Sequence, residues 1–192
     1  LHDALPIFEF IRGDVYRDRI RRLREAMEAG DTVKADRMKK QLPYHTITAT
    51  YVKERLAYSL DKYQDIITVD CDDMPAEKLP EFRQLANDCP DTLGSFISPR
   101  MHGLKIFVYL TGKEAEALRA ELNALGTVDF PTLERYHHRM YALASSKYET
   151  LLNTKVDTSG SDPGRGFFVS HDPDAFFAPE RLENVKPLTV KV

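Results

Sequence analysis

Two periods of apolar residues run through this chain and divide it into elements. Ile66-Ile67-Thr68-Val69 is a short run of β-branched residues, the mark of a buried strand. It leads straight into Asp70-Cys71-Asp72-Asp73. Upstream, Ile7–Ile11 is a short apolar run that reads as an edge strand. Asp14 is placed to cap a helix over Val15–Ala29, with Ile20, Leu23 and Met27 on one face and Gly30 as its stop. A second helical piece over Thr32–Gln41 is basic through Lys34, Arg37, Lys39 and Lys40, and Pro43 ends it. Thr46–Val52 reads as a strand.

Downstream of Asp73 a helix is expected over Ala76–Asn87, then strands Thr92–Ile97 and Leu104–Leu110 joined as a hairpin by Ser98–Gly103. A helix over Glu114–Leu125 stops at Gly126, and a long helix runs from Pro131, in its first turn, to Leu152. Thr158–Gly166 is a turn-rich loop, Phe167–Ser170 a short strand, and the chain from Asp172 a proline-rich, irregular tail. The order is that of a split βαβ unit. The expected fold is therefore α+β: a ferredoxin-like or RRM-like antiparallel sheet with helices on one face and an N-terminal α/β extension. Its other face would be free to carry a site. A single domain is expected, with 1–60 as the basic extension, 61–179 as the core and 180–192 as a tail.

Composition narrows the partners. The chain has 192 residues and a net charge of −3, so any nucleic-acid contact has to come from a local basic patch. Two cysteines, Cys71 and Cys89, are too few for a disulfide framework or a four-cysteine zinc site. No apolar run approaches the roughly 20 residues of a membrane span. Leu1–Phe10 carries His2, Asp3 and Glu9 and lacks the basic start of a signal peptide. A cytoplasmic location without membrane partners is the expectation.

Side chains alternate along a strand, so Asp70 and Asp72 should share a face at its end, where two carboxylates suit a hard cation such as Mg²⁺. The competing reading is that the acids end the strand and cap the next helix, with Asp73 as the cap. Cys71 should face the core. In Ser98–Lys105, Gly103 allows a ligand close to backbone, and Arg100, His102 and Lys105 offer positive charge to a triphosphate; an ordinary polar hairpin tip has the same composition. The Asp157–His171 segment could add a third carboxylate and a cation, or be a surface loop. Tyr136, Met140, Leu143 and Tyr148 read as core. His137 and His138 read as surface residues. The runs Arg17–Arg24 and Lys34–Lys40 are a solvated face or a nucleic-acid surface.

Three segments occur in a telling order: Val69-Asp-Cys-Asp72, the Ser-Pro-x-x-x-Gly-Leu-Lys hairpin of Ser98–Lys105, and Asp-x-Ser-Gly-x-Asp-x-x-Arg-x-x-Phe-Val-Ser-x-Asp-Pro over Asp157–Pro173. This set resembles the VirE N-terminal-like domain family of mobile-element and phage proteins. That family is itself similar to the archaeo-eukaryotic primase or primase–polymerase superfamily. The resemblance runs from about Ile7 to Pro179. It implies a nucleotidyltransferase that uses Mg²⁺ or Mn²⁺ held by Asp70, Asp72 and Asp157, with Asp162 as the rival third acid. It further implies that Ser98, Arg100, His102, Lys105, Arg165 and Ser170 contact nucleotide. DNA template and nucleoside triphosphates would be the partners, beside a helicase or DNA-binding domain. A non-catalytic nucleotide- or DNA-binding module and a metal-dependent nuclease are the alternatives. One departure stands out. Arg100-Met101 replaces the Ser-Gly usual in the hairpin, which restricts the loop backbone.

Overall fold

A computed structural model of the chain describes residues 4–54, 59–185 and 188. The expected extension and tail are described only within those limits. Ile7, Phe8 and Ile11 are buried while Glu9 and Phe10 are exposed. That spacing is helical, and Ala4–Arg12 forms helix α1 instead of the expected edge strand. A short apolar run fits either period; the Ile7/Ile11 pair, four residues apart, is the signal that separates them. Helix α2 (Arg17–Glu28) buries Ile20, Leu23 and Ala26. Tyr16 rather than Asp14 stands at its N-cap, and Asp14 ion-pairs with Arg17 at 3.1 Å on the surface. Helix α3 (Thr32–Lys40) is capped by Asp31, whose carboxylate accepts from the Lys34 amide at 3.0 Å.

The strand expected over Thr46–Val52 is divided. β1 (Tyr44–His45) and β2 (Ala49–Tyr51) lie in different sheets. β2 pairs antiparallel with β3 (Leu60–Tyr63), whose exposed Asp61 and Lys62 leave too little apolar signal to read. The central series follows in the expected order: β4 (Ile67–Cys71), α4 (Leu79–Asp88), β5 (Thr92–Ile97), β6 (Leu104–Val108), α5 (Lys113–Asn123) and α6 (Phe130–Leu152). Asp129 caps α6, accepting from the Thr132 amide at 2.9 Å.

β7 (Phe167–Phe168) pairs with β1 rather than joining the main sheet. β8 (Phe176–Phe177), inside the stretch expected to be irregular, adds to the free edge of β5. The main sheet is therefore antiparallel in the order β4-β6-β5-β8. The α+β class with helices packed on an antiparallel sheet is as expected.

One face of the sheet presents Val69, Cys71, Leu104, Ile106 and Val108 to α4, α5 and α6. The opposite face was expected to be open, and it is not. Phe96 and Phe107 on that face pack with Ile11, Ile20 and Leu23 from the N-terminal helices. Phe167 of β7 packs there too, its tilted ring centroid 5.6 Å from Phe96 and 4.9 Å from Phe107. Burying that apolar surface twice over is worth more than leaving it in water. What remains accessible is the rim where β4 ends and β6 begins. Among the described residues, no helix is long and apolar enough to cross a membrane.

Candidate active site

The rim is built around one cross-strand pair. Asp70 stands opposite Lys105 in the β4–β6 register, so both side chains leave the same face. The Lys105 ammonium ion-pairs with Asp70 Oδ2. Asp70 Oδ1 is buried and has no hydrogen-bond partner among the described residues. Asp72 follows just past the strand end. Cys71 between them points into the helix-packed core, as expected, and burial followed by the charges of Asp70 and Asp72 pushes its thiol up to about 12. It is therefore a protonated core residue and not a nucleophile.

Asp157 arrives from the end of α6. Its amide donates to the Asp70 carbonyl at 2.8 Å, and its own carbonyl accepts from the Tyr141 hydroxyl. These bonds dock the segment beside β4. Gly160 is needed there, because a Cβ would lie 2.7 Å from the Thr68 carbonyl oxygen and 2.6 Å from the Tyr141 ring. The Asp157 carboxylate accepts from the Ser159 amide at 3.0 Å and the Ser159 hydroxyl at 2.5 Å. Asp70, Asp72 and Asp157 each bring an oxygen to within 4.8 Å of the others. Asp162, the rival, instead accepts from the Gly164 amide at 2.7 Å in the next turn and is not part of that cluster.

The acids feel one another. Burial at the strand end and then the Asp70 charge raise the affinity of Asp72 for its proton, opposed by Lys105 and Lys39. Burial alone would raise Asp157 as well, but the Ser159 hydrogen bonds, Arg165 and Lys105 hold it below the ordinary carboxylate value. An all-oxygen donor set of three carboxylates with one orphaned oxygen fits a hard divalent cation such as Mg²⁺ or Mn²⁺.

The remaining expected nucleotide contacts divide. Lys105 is in the cluster and Arg165 lies within its field. Arg100 ion-pairs with Asp36 of α3 and so ties the hairpin to the N-terminal helices. Ser98 shapes the turn itself: its amide donates to the Gly103 carbonyl at 2.9 Å and its carbonyl accepts from Met101 at 3.0 Å. The His102 side chain is exposed, and its carbonyl accepts from the Met74 amide at 2.9 Å. Ser170 is buried, and its hydroxyl has no partner among the described residues. Gly103 was expected to admit a ligand. It admits the protein instead, since a Cβ would lie 2.5 Å from the Cys71 carbonyl oxygen and 2.9 Å from Asp72 Oδ1. Met101 adopts φ of 63°, so the left-handed turn is kept although the residue there is not glycine.

A profile described as BT4734-like, N-terminal domain, matches residues 37–177. The chain belongs to this family. The match begins inside α3 and ends at β8, so every member of the acidic cluster and the hairpin lies within the BT4734-like domain. No curated protein and no solved structure matches the chain.

Three residues of the BT4734-like site escaped the reading of its sequence. His137, expected at the surface, is buried; it bridges Tyr63 Oη at 2.7 Å and the Gly160 carbonyl at 3.0 Å. Its place was readable, because Leu133, His137, Tyr141, Ala144 and Tyr148 repeat at three- and four-residue intervals along the buried stripe of α6. Tyr141 lies on the same stripe. Lys39 is the third. Nothing in the basic run of α3 distinguishes it from its neighbours, yet it is half-buried while Lys34, Arg37 and Lys40 are exposed.

Proposed function

We propose that this BT4734-like domain is a primase/polymerase-type nucleotidyltransferase of a mobile-element or phage replication protein, joining nucleotides on a DNA template. The observation that carries the reading is the convergence of Asp70, Asp72 and Asp157, from two separate segments, on one point, with Asp70 Oδ1 buried and unpartnered among the described residues and Asp70 Oδ2 paired with Lys105. The resemblance of Val69–Asp72, Ser98–Lys105 and Asp157–Pro173, taken in order, to the VirE N-terminal-like family supports it. Mg²⁺ or Mn²⁺ bound there would lower the pKa of an attacking hydroxyl and offset charge on the phosphates. The three carboxylates would hold that ion. Lys105 and Arg165 would neutralise charge that develops on the phosphoryl oxygens. The exposed cations of α3, Lys34, Arg37 and Lys40, offer a surface for template phosphates. A helicase or DNA-binding domain is the natural companion.

The experiment is primer extension with a labelled strand, nucleoside triphosphates and Mg²⁺ or Mn²⁺, beside an Asp70→Asn/Asp72→Asn variant. Metal-dependent extension lost in the variant is the expected result. Shortening of the labelled strand would reassign the site to a nuclease. Nucleotide binding without turnover would reassign it to a binding module.

A further inference from the structure

Lys39 leaves the last turn of α3 with its ammonium 5.5 Å from the centre of the Phe168 ring. Phe168 is fixed by its pairing opposite Tyr44, the ring centroids being 5.0 Å apart. The same β1–β7 bracket carries Arg165, because the Gly166 amide donates to the Tyr44 hydroxyl at 2.8 Å. A side chain at Gly166 would strike the His45 carbonyl and the Tyr44 ring. The bracket therefore holds Lys39 and Arg165 near each other from chain segments more than a hundred residues apart. Lys39 interacts electrostatically with Lys105, Asp72, Asp70 and Arg165, and burial followed by the Lys105 charge lowers its hold on its proton.

The contacts of the three cations differ. Among the described residues, Lys105 has Asp70 as its ion-pair partner, whereas neither Lys39 nor Arg165 has one. A half-buried lysine beside two other cations, offset by Asp72 and Asp70 only at a distance, is further stabilised when an anion joins it in contact. Three carboxylates balance the three cations of the rim. A divalent ion on the acids then leaves the rim two charges positive. A chain of phosphates carrying a metal supplies the missing negative charge, and a lone nucleoside or a sugar does not.

We propose that Lys39 is a binding residue for the phosphate chain of a metal-bound nucleoside triphosphate, acting together with Arg165. The assignment rests on the nucleotidyltransferase reading for the nucleotide, but the phosphate chain alone is enough to test it. The aromatic ring beneath Lys39 and the β1–β7 bracket hold its ammonium in place before the ligand arrives, which lowers the ordering cost of binding.

The test is calorimetric titration of the whole chain with Mn²⁺ alone, Mn²⁺·tripolyphosphate and Mg²⁺·dATP, for the wild type, Lys39→Met and Lys39→Arg. Lys39→Met should bind both polyphosphates at least tenfold more weakly and Mn²⁺ alone as well as the wild type does. Lys39→Arg should recover most of the loss. Equal polyphosphate affinity in Lys39→Met and wild type overturns the assignment. So does an equal loss of Mn²⁺ binding in Lys39→Met, which would make Lys39 structural. A wild type that binds neither polyphosphate overturns it as well. Tripolyphosphate binding that needs Lys39, in a protein that fails primer extension, keeps the assignment and removes the polymerase reading.

Discussion

His137 gives this domain a measurable pH dependence. The Gly160 carbonyl can only accept, so Nε2 of His137 carries the proton and Nδ1 accepts from the Tyr63 hydroxyl. The neutral ring is thus fully bonded. Burial disfavours the charged ring and brings its pKa down to about 4. In the unfolded chain the ordinary value is about 6.5. Between those two values the unfolded state binds the proton more readily, so stability is complete above about pH 6.5 and is lost as pH falls toward 4. The full shift corresponds to about 3 kcal/mol, of which about 2 kcal/mol is already gone at pH 5. His137→Gln keeps a side-chain donor for Gly160 and removes the titration. Urea unfolding at pH 8 and pH 5 for both proteins isolates the term, because every other titrating group is common to them. The wild type should lose about 2 kcal/mol more than the variant on acidification, a difference of roughly 1 M in urea midpoint. Equal losses in the two proteins would refute the argument that burial of the imidazolium is what acid must overcome.

Two further changes probe the rim. Met101 holds φ of 63°, so Met101→Gly should leave stability unchanged or raise it by up to about 1 kcal/mol, while β-branched Met101→Val should lower it by about 1 kcal/mol or more; thermal melting separates the two signs. Lys105→Met should destabilise the metal-free domain by roughly 2–3 kcal/mol by stripping Asp70 of its counter-ion, and millimolar Mn²⁺ should raise its melting temperature more than that of the wild type; a smaller metal-induced rise than in the wild type would contradict the idea that the ammonium and the metal compete for the acids.

The parts of this fold that were legible are those whose burial repeats with one period. β4 and β6 each carry a continuous apolar stripe, and α5 and α6 each bury a largely apolar one at helical spacing. The cross-strand meeting of Asp70 and Lys105 follows from the hairpin's register once β4 is placed beside β6. The rest depends on contacts far apart in sequence. Phe167 and Phe168 form a strand either way, but whether they extend the main sheet or pair with Tyr44 and His45 is decided by Phe167 filling space over Phe96 and Phe107. No local pattern encodes that choice. The same holds for Lys39, one of several lysines until β7 places Phe168 beneath it. Asp157 and Asp162 are equivalent by spacing, and a backbone bond to the Asp70 carbonyl distinguishes them.

These long-range contacts also fix what kind of site this is. An open sheet face would present a broad surface with the acids near its middle. Here α1–α3 and Phe167 fill that face, and the acids are confined to the end of two strands. Access is set by three segments: the hairpin, α3 and the loop after α6. None of them is independent of the others. Arg100 of the hairpin is paired with Asp36 of α3, and the β1–β7 pairing joins the chain just after α3 to the segment that follows Arg165. Moving α3 would therefore carry Lys39 away from Lys105 and break the Arg100–Asp36 pair together. The N-terminal helices are accordingly part of the site's wall, and removing them would expose Phe96 and Phe107 to water while taking away one of the rim's three cations.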